Sequence, residues 1–361
     1  MTGGCGRVLA RVVSGVLVLG TACVPPQAGA GAGSRRVPSM EGAMIENGKV
    51  WLDTRGDEIW CNGGHMIEEG GTFYWVGYET APGRPWSIKL YSSENLRDWT
   101  FRNNIIEKKG DFAAFGWAGR PGLLHNRKTG RYVVIFEAQT GDWFRHKVGF
   151  ASCDSVDGEY KLEGCEYPEP DRSTGDQSVY QEGDDAYLLT VLDSPGLKEP
   201  LNVSMAIYKL TEDHLRVENK LFEGFDWTKE GQRGNEASHV VKVGETYYWF
   251  MSGLRGWNST PTAYTTAKSL AGPWEPLRIL RTDPPSDDSF NTQHDFIVSI
   301  RGTETTTYLY AGDRYSQWHG KGAGRNIFLP IVFEDGEPSL KWGDSWWIDP
   351  ASGRSCGAVL K

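Results

Sequence analysis

An aromatic strand recurs five times along this chain, as Phe73-Tyr74-Trp75, Tyr132-Val133-Val134, Tyr187-Leu188-Leu189, Tyr247-Tyr248-Trp249 and Tyr308-Leu309-Tyr310. With Tyr74, Tyr132, Tyr187, Tyr248 and Tyr308 as markers, the steps are 58, 55, 61 and 60 residues. So steady a period marks a repeat architecture. Each marker follows a turn: Glu69-Gly70-Gly71, Lys128-Thr129-Gly130, Glu182-Gly183-Asp184, Val243-Gly244-Glu245 and Arg301-Gly302-Thr303. Gly and Asp supply the backbone angles of tight hairpins. An apolar strand precedes each turn, as in His65-Met66-Ile67 and Val240-Val241-Lys242. A third strand, a turn and a further apolar residue follow it, as from Leu90-Tyr91 to Trp99 and from Ala263-Tyr264 to Trp274. Short strands at regular spacing, without long amphipathic helical patterns, read as an all-β chain. Four strands repeated five times predict a five-bladed β-propeller, because radial repetition leaves only short, protected sheet edges. A β-sandwich or a pair of small β-domains is the alternative, and the even spacing favours the propeller.

In a propeller the innermost strand of each blade lines a central cavity. Counting back from the markers to the start of that strand reaches Asn62, Arg120, Asp176, Glu236 and Gln293. One polar residue singly is usually a solvated strand end. Five at one phase, converging on an axis, point to a site. Two carboxylates and an Arg in an aromatic-rich cleft fit glycoside hydrolysis, which needs a protonated acid at the leaving oxygen and a group that directs water or a nucleophile. Glu236 is the candidate acid, since it opens a buried strand where desolvation favours its protonated form. Asp176 is placed to position and tune it, and Arg120 to orient substrate or carboxylate.

Net charge is -9, with no basic stripe, which argues against a nucleic-acid partner. Residues 1–37 read as an export segment and flexible tether, and residues 38–361 as one propeller domain. Arg7 and Arg11 precede the apolar run Val12 to Ala22, which is too short to span a bilayer. The run ends at Gly20-Thr21-Ala22-Cys23, similar to a lipoprotein signal with Cys23 as lipid anchor. Cleavage near Ala28-Gly29-Ala30 is the competing reading, and either one exports the protein. Cys153 and Cys165 flank the outer hairpin of the second repeat and are candidates for a disulfide, with Cys61 and Cys356 a second candidate pair. No Cys/His spacing matches zinc.

Motifs spread over about residues 50 to 349 resemble glycoside hydrolase family 43, and within it the exo-β-1,3-galactanase group. Asp53-Thr54-Arg55-Gly56 and Asn62-Gly63-Gly64 resemble DT-x-G and HGG, and Tyr74-Trp75-Val76-Gly77-Tyr78-Glu79 resembles YYWYGE. Arg120-Pro121 before Leu124-His125-Asn126 resembles the ERPK hairpin. Ser252-Gly253 with Gly256-Trp257-Asn258, then Thr292-Gln293, then Gly312-Asp313-Arg314, complete the series. The resemblance implies a five-bladed propeller and exo-acting, inverting hydrolysis of a β-galactan. It implies Glu236 as general acid, Asp176 as its modulator, and Gln293, as an imidic acid, as the handler of water in place of a second carboxylate. Asn62, Arg120, Trp117, Trp257, Asn258 and Asp313 are the implied or adjacent substrate contacts. Trp117 is read as part of a loop, Trp60 and Trp86 as near the same face, and Asp313-Arg314 as an ion pair near the cavity. Some relatives hold a structural calcium. His294 is read instead as a packing residue, with no metal or cofactor expected, and the chain as a monomer acting on a poly- or oligosaccharide.

The chain departs from the group where Gly119 replaces the Glu of ERPK, Gly122 its Lys, and Gly175 the Arg of the group's RDM motif, whose Asp matches Asp176. His65 and Glu137 are candidates to fill the space. These departures keep three alternatives open: an arabinofuranosidase or β-galactofuranosidase of the same family, a glycoside phosphorylase, and a non-catalytic sugar-binding propeller. A phosphorylase needs a cationic cluster, and the axial positions supply Arg120.

Overall fold

The computed structural model describes residues 42–79, 81, 83–141, 145–193, 203–227, 234–315 and 325–359. Residues 1–37, the expected export segment and tether, and Cys23 within them lie outside the described residues. Among the described residues there is no α-helix; Gly110–Phe112 is a short 3-10 turn.

Five blades of mainly antiparallel strands follow one another along the chain, the second and third joined by the Thr174–His146 pairing into one eight-stranded sheet and the fifth gaining a parallel edge strand, Arg281–Asp283. Their inner strands are Asn62–Glu69, Trp117–Asn126, Ser173–Glu182, Asn235–Val243 and Gln293–Arg301. Each inner strand touches the next, and the fifth touches the first, so the blades close a ring. Every marker tyrosine lies on the second strand of its blade, opposite Ile67, His125, Tyr180, Val241 and Ser299 respectively. These second strands are covered on both faces, which explains continuous apolar runs such as Val133-Val134-Ile135-Phe136. Buried side chains from successive blades form the core clusters. Val76, Ile88, Leu123 and Val134 join blades one and two. Leu124, Val133, Val179 and Leu188 join two and three, and Leu189, Met205, Val240 and Trp249 join three and four. A larger cluster runs from Tyr248 and Phe250 through Phe296 and Phe328 to Trp75, binding blades four, five and one.

Ring closure uses a separate small sheet. Strand Ala43–Glu46 pairs antiparallel with Ser345–Asp349, which pairs with Arg354–Val359. Trp346 covers the closing blade: it is fully buried and its Nε1 donates to the Phe328 carbonyl at 2.7 Å. From the other end of the chain, Asn47 donates to the same carbonyl and accepts from the Phe328 N–H.

Every inner strand carries a break in register near its start: between Asn62 and His65, Gly119 and Gly122, Thr174 and Gln177, Glu236 and His239, and His294 and Phe296. A bulge bends the strand and re-aims the side chains beside it. Gly63, Arg120 and Ala237 sit in these bulges at φ of 55°, 45° and 49°.

Two expectations are corrected here. Cys61, Cys153 and Cys165 carry free thiols. Cys165 lies opposite Gly149 in the outer hairpin, four residues along the strand from Cys153. At about 3.3 Å per residue that separation exceeds disulfide reach. Trp117 is not in a loop. It opens the inner strand of blade two, paired with Gln139, because the ladder extends three residues beyond Arg120.

Candidate active site

The bulges bring Arg120, Asp176, Glu236 and Gln293 around one cavity of about 150 Å³, whose other walls are Tyr78, Trp117, Glu137, His146, Gly256 and Trp257. Arg120 is its hub. Its Nε contacts Asp176 Oδ2 at 3.2 Å, its Nη1 contacts Asp295 Oδ1 at 3.3 Å, and its Nη2 donates to Gln293 Oε1 at 2.9 Å. Three blades are thereby tied through one guanidinium. Burial opposes its charge, but the Asp176 and Asp295 carboxylates more than offset this and hold the proton more tightly than usual.

Glu236 is 6 % exposed. Its Oε1 accepts from Gln293 Nε2 at 2.8 Å and from the Arg255 backbone N–H at 3.1 Å. Burial pushes its proton affinity well above the usual carboxylate range, and Asp176 adds to this while Arg120 opposes it. With two N–H groups on Oε1, the proton belongs on Oε2. Asp176 accepts from Arg120 and from the Ala237 N–H at 3.1 Å. Burial raises its pKa too, against the pull of Arg120. Gln293 is oriented at both ends: its Nε2 also donates to the Gly256 carbonyl at 3.0 Å, and its Oε1 faces Arg120. That oxygen keeps a second lone pair.

An aromatic wall runs beside these groups. The Tyr78 ring meets Trp117 edge-on at 4.9 Å, and its hydroxyl bonds that of Tyr315 at 2.5 Å. Tyr315 lies 6.4 Å from Trp257, which is 48 % exposed. Flat apolar faces next to carboxylates and an amide suit a sugar ring, whose C–H surface stacks on aromatics while its hydroxyls hydrogen-bond.

Other expected contacts fall elsewhere. Asn62 is fully buried and does not line the cavity; its Nδ2 donates to Asp313 Oδ1 at 2.9 Å. Asp313 is equally buried and accepts from the Gly63 N–H, Asn326 and Tyr315. Both therefore support Tyr315 from behind. The bulge at Gly63 turns Asn62 inward, where blade five offers a carboxylate. Asp313 and Arg314 form no direct pair of the kind expected: the Arg314 guanidinium lies over Trp342 and donates to the Phe290 carbonyl. Asn258 is exposed, and its amide donates to the Arg255 carbonyl. Trp60 carries the Arg325 guanidinium on its face, and Trp86 is buried beneath Phe115. His294 is a packing residue, its Nδ1 on the Ala237 carbonyl and its ring between Phe250 and Tyr310. His65 is buried against Leu123, away from the cavity. Among the described residues no group of three or more His, Cys, Asp or Glu gathers as a metal ion requires.

Two titratable wall residues, Glu137 and His146, lay outside the axial count. Glu137 had a signal: it is the only acid in the buried strand Arg131–Gln139. His146 had none, since it reaches the cavity through tertiary pairing.

A ring of β-sheets around a carboxylate-lined, aromatic-walled cavity is the architecture of a sugar-processing propeller. The family model for glycosyl hydrolases family 43 matches residues 64–338. The chain belongs to that family and is by class a glycosidase fold acting on oligo- or polysaccharide. Among solved structures, it is similar to an exo-β-1,3-galactanase from Clostridium thermocellum, with 24% identity and a TM-score of 0.76, covering 88% of this chain and 69% of the other. The corresponding figures for an exo-β-1,3-galactanase from Phanerochaete chrysosporium with galactose are 24%, 0.75, 88% and 71%. For a family 43 β-1,3-galactosidase they are 26%, 0.73, 85% and 64%. No curated protein matches the chain.

Proposed function

We propose that this protein is an exported exo-acting glycosidase that removes terminal galactose from a β-1,3-linked galactan with inversion at the anomeric carbon. The observation that carries the reading is the Glu236–Gln293–Arg120–Asp176 network around a single cavity. Glu236, kept protonated by burial, donates from Oε2 to the leaving glycosidic oxygen. Asp176 raises the proton affinity of Glu236 and fixes the Ala237 bulge beneath it. Gln293, held by Arg120, orients the attacking water with its remaining lone pair; as Glu236 gives up its proton, Oε1 takes one from the water while Nε2–H passes one to Glu236 Oε1, so the amide becomes its imidic acid and the glutamic acid is restored. A side chain in this position does the work a second carboxylate does in other glycosidases. Trp117 and Trp257 flank the ring. The exo-β-1,3-galactanase names of structural relatives support attack on a chain end. The galactanase names of the structural relatives support the sugar.

A second reading, a related enzyme of other specificity such as an arabinofuranosidase, is favoured by one observation: a glycine stands at position 119, beside the cavity. The test is sugar release from β-1,3-galactan, arabinan, xylan and nitrophenyl glycosides by residues 38–361, beside Glu236→Gln. Galactose release that vanishes in the variant supports the proposal. Release of another sugar keeps the mechanism and replaces the substrate. Binding without turnover in either protein makes it a lectin. Export is tested separately, by fractionating cells expressing the full chain and its Cys23→Ala variant.

A further inference from the structure

The acid and the water-directing amide leave one carboxylate of the cavity unused. Glu137 lies directly across the strand pair from Gly119. A Cβ at Gly119 would stand 2.4 Å from Trp117 Nε1, so the missing side chain is what lets the indole fold over this position. Trp117 Nε1 in turn donates to Glu137 Oε2 at 3.3 Å. The other oxygen, Oε1, is held by His146 Nδ1. His146 is itself fixed where blades two and three meet, its N–H on Ser173 Oγ at 2.8 Å. A carboxylate has about four lone-pair sites. Two are spent on Trp117 and His146, and the rest face a cavity that Glu137 lines. Its orientation is set from both sides, as a binding group requires, while the side chain remains 9% exposed.

We infer that Glu137 is the specificity-determining anchor of the bound sugar, accepting hydrogen bonds from ring hydroxyls of a neutral hexopyranose, galactose, stacked beside Trp117. This deepens the glycosidase reading above and rests on it. Hydroxyl-to-carboxylate bonds are short and strong. Glu137 and Asp176 against the single Arg120 disfavour a uronic acid. The relocation is legible across the ladder: the carboxylate is absent at position 119 and present on its register partner. The competing role for Glu137 is purely electrostatic, raising the proton affinity of Asp176 and Glu236 from a distance. The two roles read out differently, one in sugar affinity and one in the pH profile.

The experiment is calorimetric titration of galactose and its monodeoxy analogues into Glu236→Gln protein, alone and combined with Glu137→Ala or Glu137→Gln. Thermal unfolding of each variant checks that it is folded. Glu137→Ala is expected to weaken galactose about ten- to one-hundred-fold, the cost of losing hydrogen bonds to a charged acceptor. The isosteric Gln variant is expected to recover part of the loss. One deoxy analogue should bind weakly when Glu137 is present and no more weakly than galactose when it is Ala. Affinity unchanged within about twofold in a folded Glu137→Ala protein overturns the inference, as does absence of galactose binding by the Glu137-containing protein. Neither result touches the glycosidase reading, which stands or falls on sugar release from the panel.

Discussion

Glu236 shows how burial makes an acid. Its environment holds a proton at pH values where a solvated glutamate has lost it, and the Gln293 and Arg255 N–H groups leave Oε2 to carry that proton. Replacing it with Gln should lower kcat by about 10²- to 10⁴-fold, the usual contribution of a positioned acid, while binding of the released sugar stays close to wild type. Wild-type kcat/KM should fall on the alkaline side as Glu236 ionises, with that limb above the ordinary carboxylate range; a limb at the solvated value would mean the site is wetter than its geometry. Stability carries the same signature. The folded state keeps the proton to higher pH than the unfolded chain, so stability falls as pH rises through the ordinary carboxylate range near about 4.3. Glu236→Gln cannot ionise. Its stability relative to wild type should therefore improve from about pH 4 upward and level off once native Glu236 has ionised, as urea titrations at pH 4 and 7 would show. Arg120 is the complementary case. Arg120→Met leaves Asp295 buried and Asp176 half-buried without their cation and should cost about 3–5 kcal/mol, read from denaturant midpoints.

The bulge is the element that turns a sheet into a site. A strand that alternated regularly would send Arg120 and Asp176 in directions set by the pleat alone. The extra residue instead aims them together, at the cost of positive φ at Gly63, Arg120 and Ala237. Position 63 is the least tolerant, because a Cβ there would stand 2.1 Å from the Tyr78 ring. Gly63→Ala should lose about 1–3 kcal/mol from backbone strain, with further loss from the displaced tyrosine. Ala237 has a similar φ, so Ala237→Gly should change stability by less than about 1 kcal/mol. Equal losses at the two positions in urea unfolding would remove the bulge from this account.

At the scale of the molecule, the ring depends on joining its ends. Asn47 near the start and Trp346 near the finish converge on Phe328 in blade five, and Phe328 packs against Trp51 and Trp75 of the early chain. Trp346→Ala should cost about 3–5 kcal/mol, the range for emptying a buried tryptophan site. Loss of the clamp should also blunt cooperativity, seen as a smaller denaturant slope. An unchanged midpoint would place the closure elsewhere.

The blade repeat was legible in the chain because each marker tyrosine sits on a second strand buried on both faces, and burial of that kind writes an unbroken apolar run into the sequence. Arg120, Asp176, Glu236 and Gln293 were legible for a related reason: each is a polar interruption at the head of an apolar inner strand, at one phase of the period. Asn62 occupied the same phase yet turned inward, because the bulge at Gly63 and the carboxylate of Asp313, from the far end of the ring, decided its direction. Glu137 was marked as the one acid of a buried strand, whereas His146 reaches the cavity through pairing between blades, and no local pattern records that. Local periodicity determined what repeats. Only the three-dimensional pairing of remote strands decided which side chains share a cavity, because that depends on register and bulge geometry, which neighbours in sequence do not specify.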